Sequence, residues 1–395
     1  MRPLILALLV IATASPQAPV SPERVNRLLD RAVVIDLHCD TTQLIVDEGY
    51  DLAELHSYGQ VDIPRMRRGR VSGVFMSVWT NAGRMTPTES MRRALMQIDA
   101  VRRETRRHSE DLVAAQSAEQ ILAAKKQNRI AILIGVEGGH MIDSNLAILR
   151  TYFELGARYL TLTHSRNTPW ADSSGDTAAH NGLTDFGRDV VREMNRLGMM
   201  VDISHVSDKT FYDTLEASTA PVIASHSSCR VFSQHPRNMT DDMLRALAKK
   251  GGVVHINYYN GFLDQGFRER YDALKAERAL EDQVDKKFSS DPRQRSIEQR
   301  KLNARRIAKL GRVPFSRLLD HFEHAVKVAG IDHVGLGSDF DGVGDQLPEG
   351  MEDISKTPNL VRGLMERGFS DTDMEKILGG NTLRVMKEVE RLAQR

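Results

Sequence analysis

Several imidazole and carboxylate side chains in this sequence stand where short apolar runs end. The run VVIDLHCDTT places His38 and Asp40 two residues apart, so on a strand both side chains point to one side while Cys39 points away. Imidazole and carboxylate groups are the usual ligands of Zn²⁺ and also bind Mn²⁺, Co²⁺ or Fe²⁺. Five further residues of these types each end another apolar run: Glu137, His164, His205, His226 and Asp339. Together with His38 and Asp40 they predict a metal site.

Glu137, in the segment GVEGG, suits a carboxylate that is shared between two ions. One ion would take His38, Asp40 and Glu137. The other would take Glu137, His205 and His226, and each set leaves a position for water and substrate. Two ions about 3.5–4 Å apart would hold a bridging hydroxide between them. Two alternatives stay open: an arginine could neutralise Glu137, and either histidine of the second set could cap a helix or bond a carbonyl.

Two further residues suit proton transfer and charge stabilisation. Asp339, in GLGSDFDG, is placed to take a proton from an activated water and pass it to a leaving amine. Asp341 is the alternative on the same face, with loop capping as its simpler interpretation. His164 suits a donor to a developing oxyanion, although a hydrogen bond within its own loop, HSRNTPWAD, would also explain it.

The elements that would bring these residues together are eight runs rich in Val, Ile and Leu, which is typical of strands covered on both faces. Helical stretches separate most of these runs, so the pattern predicts an α/β fold of the (β/α)8 TIM-barrel type. The active site of such a barrel lies at the C-terminal ends of the strands. A doubly wound open sheet is the alternative, although no glycine-rich phosphate loop follows the first strand. The runs span residues 32–40, 71–79, 129–138, 159–164, 199–205, 221–226, 251–258 and 333–341.

The balance of charged residues and the apolar N-terminal stretch limit the classes of protein to which this chain can belong. Lys and Arg number 54 and Asp and Glu 53, with no basic block, which argues against a nucleic-acid partner. Residues 1–18 have one basic residue followed by a short apolar stretch, which predicts a signal peptide, and residues 19–395 would form a single barrel domain. An uncleaved membrane anchor is the alternative, but the stretch is shorter than the ~20 residues that span a bilayer. We therefore expect an exported protein, periplasmic or secreted, without a stable membrane anchor.

The chain resembles the membrane dipeptidase family, also called renal dipeptidases, among the amidohydrolase-like barrels. The matching segments run in the family's order and cover nearly the whole predicted mature chain. They are VVIDLHCDTT, SGVFMSVW, IGVEGGHMID, RYLTLTHSRNTPWAD, NRLGMMVDISHVS, PVIASHSS, RNMTDDMLR and GLGSDFDGV.

The resemblance implies a zinc-dependent dipeptidase with two Zn²⁺ per chain, bridged by Glu137. The substrates would be small dipeptides with free amino and carboxyl ends, an L-residue first and an L- or D-residue second, cleaved by a metal-bridging hydroxide. It also implies a homodimer. By the matching segments, His164 would touch the substrate near the scissile carbonyl, Arg237 in RNMTDD would contact the substrate carboxylate, and Asp339 would be the acid/base residue.

Some positions depart from the animal members of this family. Cys39 stands where they usually have Asn, and we expect no disulfide between Cys39 and Cys229, because the first and sixth predicted strands are not neighbours. We also expect no C-terminal lipid anchor of the kind that the animal members carry. A charged insert of about residues 263–312 separates the last two predicted strands, and its periodicity predicts two helices around SSDP. The insert is either a solvated helical segment, or a segment that covers the pocket or contacts a partner subunit.

Two other functions are weighed against the dipeptidase. The first is another metal-dependent amidohydrolase, such as a lactonase, phosphotriesterase or cyclic amidase. Many of those enzymes bridge their metals with a lysine, and no lysine closes any of the eight runs. The second is a non-catalytic protein that binds dipeptides or metal, which would be expected to lack a ligand or Asp339. None of these residues is missing, so the sequence favours the dipeptidase.

Overall fold

The structure, a computed structural model, describes residues 19–394, so the predicted signal peptide lies outside the described residues. Eight parallel strands follow the order β2–β1–β9–β8–β7–β6–β5–β4, and the pairing of β2 with β4 closes the ring. The predicted (β/α)8 barrel is thus confirmed. The strands are β1 Ile35–Cys39, β2 Gly73–Trp79, β3 Leu112–Ala114, β4 Ile130–Glu137, β5 Ala157–Thr161, β6 Met200–Asp202, β7 Ile223–Ser227, β8 Val253–Ile256 and β9 Val334–Leu336.

Strand β3 is a ninth strand that the sequence does not predict. It pairs only with the first residues of β4, with Leu112 opposite Ile130, and lies outside the closed ring. A run of three residues is too short to show the alternation by which a strand is recognised.

The helices begin and end at recognisable capping residues. The Thr184 side chain accepts a hydrogen bond from the Gly187 N–H at the start of α7, and Gly198, with φ 78°, ends that helix. The helices are α1 Pro22–Arg31, α2 Thr41–Glu48, α3 Ile63–Arg68, α4 Pro87–Arg107, α5 Ala118–Lys126, α6 Leu146–Glu154, α7 Asp185–Leu197, α8 Asp208–Ala217, α9 Asp241–Lys249, α10 Asn260–Leu263, α11 Gln265–Ala273, α12 Lys275–Lys287, α13 Pro292–Leu310, α14 Phe315–Ala329, α15 Thr357–Glu366, α16 Asp371–Glu375 and α17 Asn381–Leu392.

Two clusters of buried apolar side chains form the core. The larger cluster includes Val74, Val136 and Leu160 of the strands together with residues of most helices. The smaller cluster includes Phe75 and Tyr159, and α17 packs against it through Leu383, Met386 and Val389. Because the strands are buried on both sides, the ends that carry the candidate ligands are held rigidly.

The insert between β8 and β9 contains α11, α12 and α13. The two helices predicted around SSDP are present as α12 and α13, and α11 precedes them. Arg300 of α13 forms an ion pair with Glu48 at the end of α2, and Asp285 of α12 pairs with Arg84 after β2. The insert therefore lies against the C-terminal face of the barrel, on the side of β1 and β2.

No helix within residues 19–394 combines the length and apolar character needed to cross a membrane. Cys39 and Cys229 are both buried and free, as expected.

Candidate metal centre

The predicted ligands meet at the C-terminal end of the barrel around the carboxylate of Glu137. Oε2 of Glu137 lies 3.4 Å from Nε2 of His38, and Oδ2 of Asp40 lies 3.6 Å from the same nitrogen. Oε1 of Glu137 lies 2.8 Å from Nε2 of His205 and 3.2 Å from Nε2 of His226. The two oxygens thus face the two predicted ligand pairs separately, as those of a bridging carboxylate would.

The buried polar atoms of this cluster fit a cation. Nε2 of His38 and Oδ1 of Asp40 are buried and have no hydrogen-bond partner among residues 19–394. Burial alone would raise the pKa of Glu137, but nearby imidazoles, His38 foremost, hold that pKa well below its usual range. An ionised carboxylate among converging imidazole nitrogens is the donor set of a divalent-metal site.

The two predicted catalytic residues, His164 and Asp339, lie in the same cluster as the five predicted ligands. The structure thus brings these seven residues together. Around Glu137, donor atoms within 4.8 Å of one another form three overlapping triads: His38, Glu137 and His226; Glu137, His164 and His205; and His38, Asp40 and Asp339.

Two of the histidines are oriented through their other ring nitrogen. Nδ1 of His38 lies 2.8 Å from the Tyr159 hydroxyl, and Nδ1 of His226 lies 2.8 Å from Oγ of Ser225. Ser225 donates its own proton to Oδ2 of Asp202 at 2.6 Å, so it accepts from Nδ1 of His226. This arrangement leaves Nε2 of His226 unprotonated and free to bind a metal.

The backbone at the site takes up left-handed conformations that most side chains avoid. His205, Asp339 and Asp341 have φ values of 68°, 65° and 65°. Such conformations cost about 1–3 kcal/mol each and cluster at functional sites. At Gly342 a Cβ atom would lie 2.1 Å from Oδ2 of Asp40 and 2.3 Å from Oδ1 of Asp339. Only glycine fits there, because any side chain would displace both carboxylates.

Asp339, which follows β9, is held through one of its two oxygens. Asn257 donates to Oδ2 of Asp339 at 2.8 Å, whereas Oδ1 lies beside Gly342 on the same side as Oδ2 of Asp40. Burial, and then the carboxylate of Asp40, raise the pKa of Asp339 to about 7. A carboxyl group with a pKa near neutrality suits acceptance and return of a proton.

Asp341 occupies a different environment from Asp339. Its carboxylate accepts hydrogen bonds from the Thr41 hydroxyl and from the Gln60 N–H. These contacts join the start of α2 and the loop before α3 to the end of β9. They fit the loop-capping interpretation of Asp341.

His164 lies beside the centre in the loop after β5. Its Nε2 is 3.9 Å from Oε1 of Glu137, and its ring stacks on Trp79 with 5.4 Å between the ring centroids. Burial lowers the pKa of His164, so the neutral ring is favoured. A neutral imidazole held in this position can donate one N–H to an oxyanion that forms at the centre.

Arg237 is buried at the edge of the same site, in the loop after β7. Its guanidinium donates to the carbonyl oxygen of His226 at 3.1 Å and to Oγ of Ser227 at 3.3 Å, and it lies over the ring of Phe262. Its Nε has no partner in the described part of the chain. Burial lowers the pKa of Arg237 to about 10, which leaves it charged at neutral pH and available to an anion.

Comparison with known proteins identifies the family of the chain. The sequence profile of the membrane dipeptidase family, peptidase family M19, matches residues 22–395. The chain belongs to the membrane dipeptidase family. It is a metallo-dipeptidase with a hydrolase activity on dipeptides.

Individual relatives of this dipeptidase agree with the assignment. An uncharacterized dipeptidase of Schizosaccharomyces pombe is 35% identical over 394 residues, which cover 95% of this chain and 84% of that protein. The probable dipeptidase PvdM from Pseudomonas aeruginosa has a TM-score of 0.82 and 26% identity, covering 94% of this chain and 100% of that one. A metallo peptidase from Rhodobacter sphaeroides, liganded with a phosphinate mimic of the dipeptide L-Ala-D-Ala, shares the fold, with a TM-score of 0.75 and 22% identity over 91% of this chain and 99% of that one.

Three predicted residues lie beyond the strand ends at which the sequence placed them. His164, His205 and Asp339 were expected to close strands, but β5, β6 and β9 end at Thr161, Asp202 and Leu336, so all three lie in the following loops. The left-handed backbone of His205, with φ 68°, lies after the end of β6 and is not an extended strand conformation.

The orienting residues of the dipeptidase site were not identified from the sequence. Tyr159, Asp202, Ser225 and Asn257 are buried polar residues in or beside otherwise apolar strands. That placement is a usable signal, because a buried polar group requires a hydrogen-bond partner. The identity of the partner, however, depends on which strands become neighbours.

Proposed function

We propose that this dipeptidase holds two zinc ions and hydrolyses dipeptides that have a free amino end and a free carboxyl end. The proposal rests on the carboxylate of Glu137, because its two oxygens face different histidines. Oε2 faces His38, and Oε1 faces His205 and His226. His38, Asp40 and Glu137 would hold one ion. Glu137, His205 and His226 would hold the other. The ions, when bound, would supply an activated water and polarise the scissile carbonyl.

Residues of the chain would position the substrate and move the proton. Arg237 suits the substrate carboxylate, because a guanidinium can bond both carboxylate oxygens. His164 would donate to the oxygen of the scissile carbonyl as negative charge develops there. Asp339, fixed through Oδ2 by Asn257, would accept a proton at Oδ1 and deliver it to the leaving amine.

The substrate class is an inference from these positions and from the resemblance. The metallo peptidase from Rhodobacter sphaeroides binds a mimic of a dipeptide with a D-residue at the second position. We extend to this chain the acceptance of both L- and D-residues at the second position.

The test is release of amino acids from a panel of dipeptides by the purified protein loaded with zinc. The panel holds L-Ala-L-Ala and L-Ala-D-Ala, each also with the amine acetylated or the carboxylate amidated. We expect cleavage of the free dipeptides only, and loss of that cleavage when a chelator removes the metal. Equal cleavage of the amidated dipeptide would contradict the role of Arg237. A metal content of one ion per chain in the active protein would contradict the two-metal site.

We also propose that the chain is exported with removal of residues 1–18 and that it forms a homodimer. The signal-peptide pattern supports export, and the resemblance supports the dimer. Mass spectrometry of the protein from the periplasm or medium should find a mature N-terminus near residue 19, and light scattering should give twice the monomer mass. An intact N-terminus in the cytoplasmic fraction, or a monomer at micromolar concentration, would contradict these proposals.

A further inference from the structure

A cavity of about 560 Å³ adjoins the metal centre on the side of the insert. Its walls include Trp79, which stacks on His164, and Gly342, which adjoins Asp40 and Asp339. The remaining walls come from α2, the loop before α3, the loop after β2, Arg93 of α4, the segment after β9, and helices α12 and α13 of the insert. The volume is sufficient for a small-molecule group next to the reacting atoms.

The guanidinium groups that line this cavity differ in how they are paired. Arg93 pairs with Asp47 at 2.7 Å, and Arg84 pairs with Asp282 and Asp285. Arg295 of α13 also lines the cavity and is half-buried, yet its side chain makes no ion pair or hydrogen bond with any residue in the described part of the chain.

An unpaired cation in this position is unfavourable without an anion. Burial lowers the pKa of Arg295; Asp47 raises it, whereas the like charges of Arg93 and Arg84 lower it further. Asp47 is itself occupied by Arg93 at 2.7 Å. A carboxylate that entered the cavity would give Arg295 the partner it lacks.

The acidic residues of the cavity are for the most part already engaged. Asp282 and Asp285 pair with Arg84, and Glu281 pairs with Arg306. Of the other carboxylates, Asp345 is exposed to solvent. Glu352 accepts from the Gly350 N–H at 2.8 Å, and Asp341 is bound by Thr41 and Gln60. The cavity therefore offers an incoming anion one guanidinium that forms no direct ion pair with a carboxylate of the described residues; Asp47, paired with Arg93, acts on it only at longer range.

The position of Arg237 determines which end of a dipeptide would enter the cavity. Arg237 follows β7, whereas the cavity is built on elements that follow β1, β2 and β9. In the ring, β7 lies four strands from β2, on the opposite side of the barrel. A dipeptide with its carboxylate on Arg237 and its scissile carbonyl at the centre thus directs its first residue toward the cavity.

Resting on the function proposed above, we propose that the cavity is a subsite for the side chain of the first residue of the dipeptide, and that Arg295 selects an acidic side chain there. The insert then contributes to substrate selection through the part of the cavity wall that α12 and α13 supply.

The test compares kcat/KM for L-Glu-L-Ala, L-Gln-L-Ala, L-Lys-L-Ala and L-Ala-L-Glu with the zinc-loaded full chain. Glutamine matches glutamate in shape but lacks its charge, so the ratio of the first two substrates isolates the ion pair. We expect wild-type protein to favour L-Glu-L-Ala over L-Gln-L-Ala by about tenfold, the size of a charge-assisted hydrogen bond. In Arg295→Gln that ratio should fall to about one. Arg295→Lys, which keeps the charge, should retain part of it.

Arg293→Gln is the matched control, because Arg293 is exposed on the same helix and does not line the cavity. It should keep the full wild-type ratio. A wild-type ratio near one, a preference for L-Lys-L-Ala, a preference that appears only with L-Ala-L-Glu, or an unchanged ratio in Arg295→Gln would each overturn the proposal. In each of those outcomes the protein still cleaves dipeptides, so only the subsite would be wrong. Failure to cleave any dipeptide would overturn the proposed function together with this subsite.

Discussion

The Tyr159 hydroxyl and Nδ1 of His38 lie 2.8 Å apart inside the barrel, and both side chains are buried. Because Nε2 of His38 must be unprotonated to bind a metal, Nδ1 carries the proton and donates a hydrogen bond to the Tyr159 hydroxyl oxygen. Such partners of metal-binding histidines fix the ring and its tautomer. Tyr159 therefore acts as a positioning residue for the centre.

Tyr159→Phe should weaken metal binding by about 10-fold to 100-fold with little change of fold. The measurement is competition for zinc against a chelator of known affinity, with circular dichroism as the check on folding. Tyr152→Phe is the matched control, because Tyr152 is equally buried but donates to the carbonyl oxygen of Met141, away from the ligands. Equal zinc affinity in Tyr159→Phe and wild type would show that the hydrogen bond does not orient His38.

Metal should stabilise the fold as well as support activity. Nε2 of His38 and Oδ1 of Asp40 are buried without a partner, so a bound cation would satisfy both. At free zinc 100 times above Kd the stabilisation is about 2.7 kcal/mol, which calorimetry would record as a higher Tm. In Glu137→Gln the increase in Tm should be largely lost, whereas in Glu119→Gln, an exposed position, it should persist. An equal increase in Tm for both variants would place the metal elsewhere.

Asp339→Asn should lower kcat by about 100-fold to 10,000-fold, because the amide cannot accept and return a proton. Asp341→Asn serves as the comparison, since Asp341 has the same backbone conformation but bonds Thr41 and Gln60. There we expect a loss of about 1–3 kcal/mol of stability and a far smaller change in kcat. The measurement is steady-state kinetics of both variants, with analysis of their metal content. A large loss of kcat in Asp341→Asn and a small one in Asp339→Asn would assign the proton transfer to Asp341.

Docking of the insert on α2 should depend on pH. Glu48 is 4% exposed, and its Oε2 accepts from Arg300 at 2.8 Å. Burial would raise the pKa of Glu48, but the hydrogen bonds from Arg300 outweigh it and hold this pKa below its usual range. A lowered pKa in the folded state means that the contact stabilises fully above the ordinary glutamate pKa of about 4.3 and is lost as pH falls through the folded value.

Protection of the amides of α12 and α13 against hydrogen exchange, taken relative to the intrinsic exchange rate at each pH, should therefore fall on acidification below about pH 4.3, ahead of protection in the barrel strands. Glu48→Gln should show the faster exchange already at neutral pH and respond less to acid. The same pH profile in Glu48→Gln and wild type would show that other contacts hold the insert.

Much of the site follows from local patterns in the chain. The alternation of side chains along a strand predicted that His38 and Asp40 share one side, and their atoms do lie 3.6 Å apart. By contrast, the role of Arg237 came only from the resemblance, because its spacing relates it to no other functional residue. Its contact with the carbonyl oxygen of His226 forms only when the loop after β7 folds back onto that strand.

The sequence by itself determined the eight strands of the ring, though neither β3 nor every strand end, and the chemical types of the ligands, because apolar periodicity and strand-end residues act over a few neighbouring positions. Only the tertiary structure decided which oxygen of Glu137 faces which histidine and that Tyr159 supports His38. It also decided that Arg295 of the insert lines a cavity beside the centre. Those relationships join residues far apart in the chain, and they depend on closure of the ring and on the docking of the insert, which no local pattern encodes.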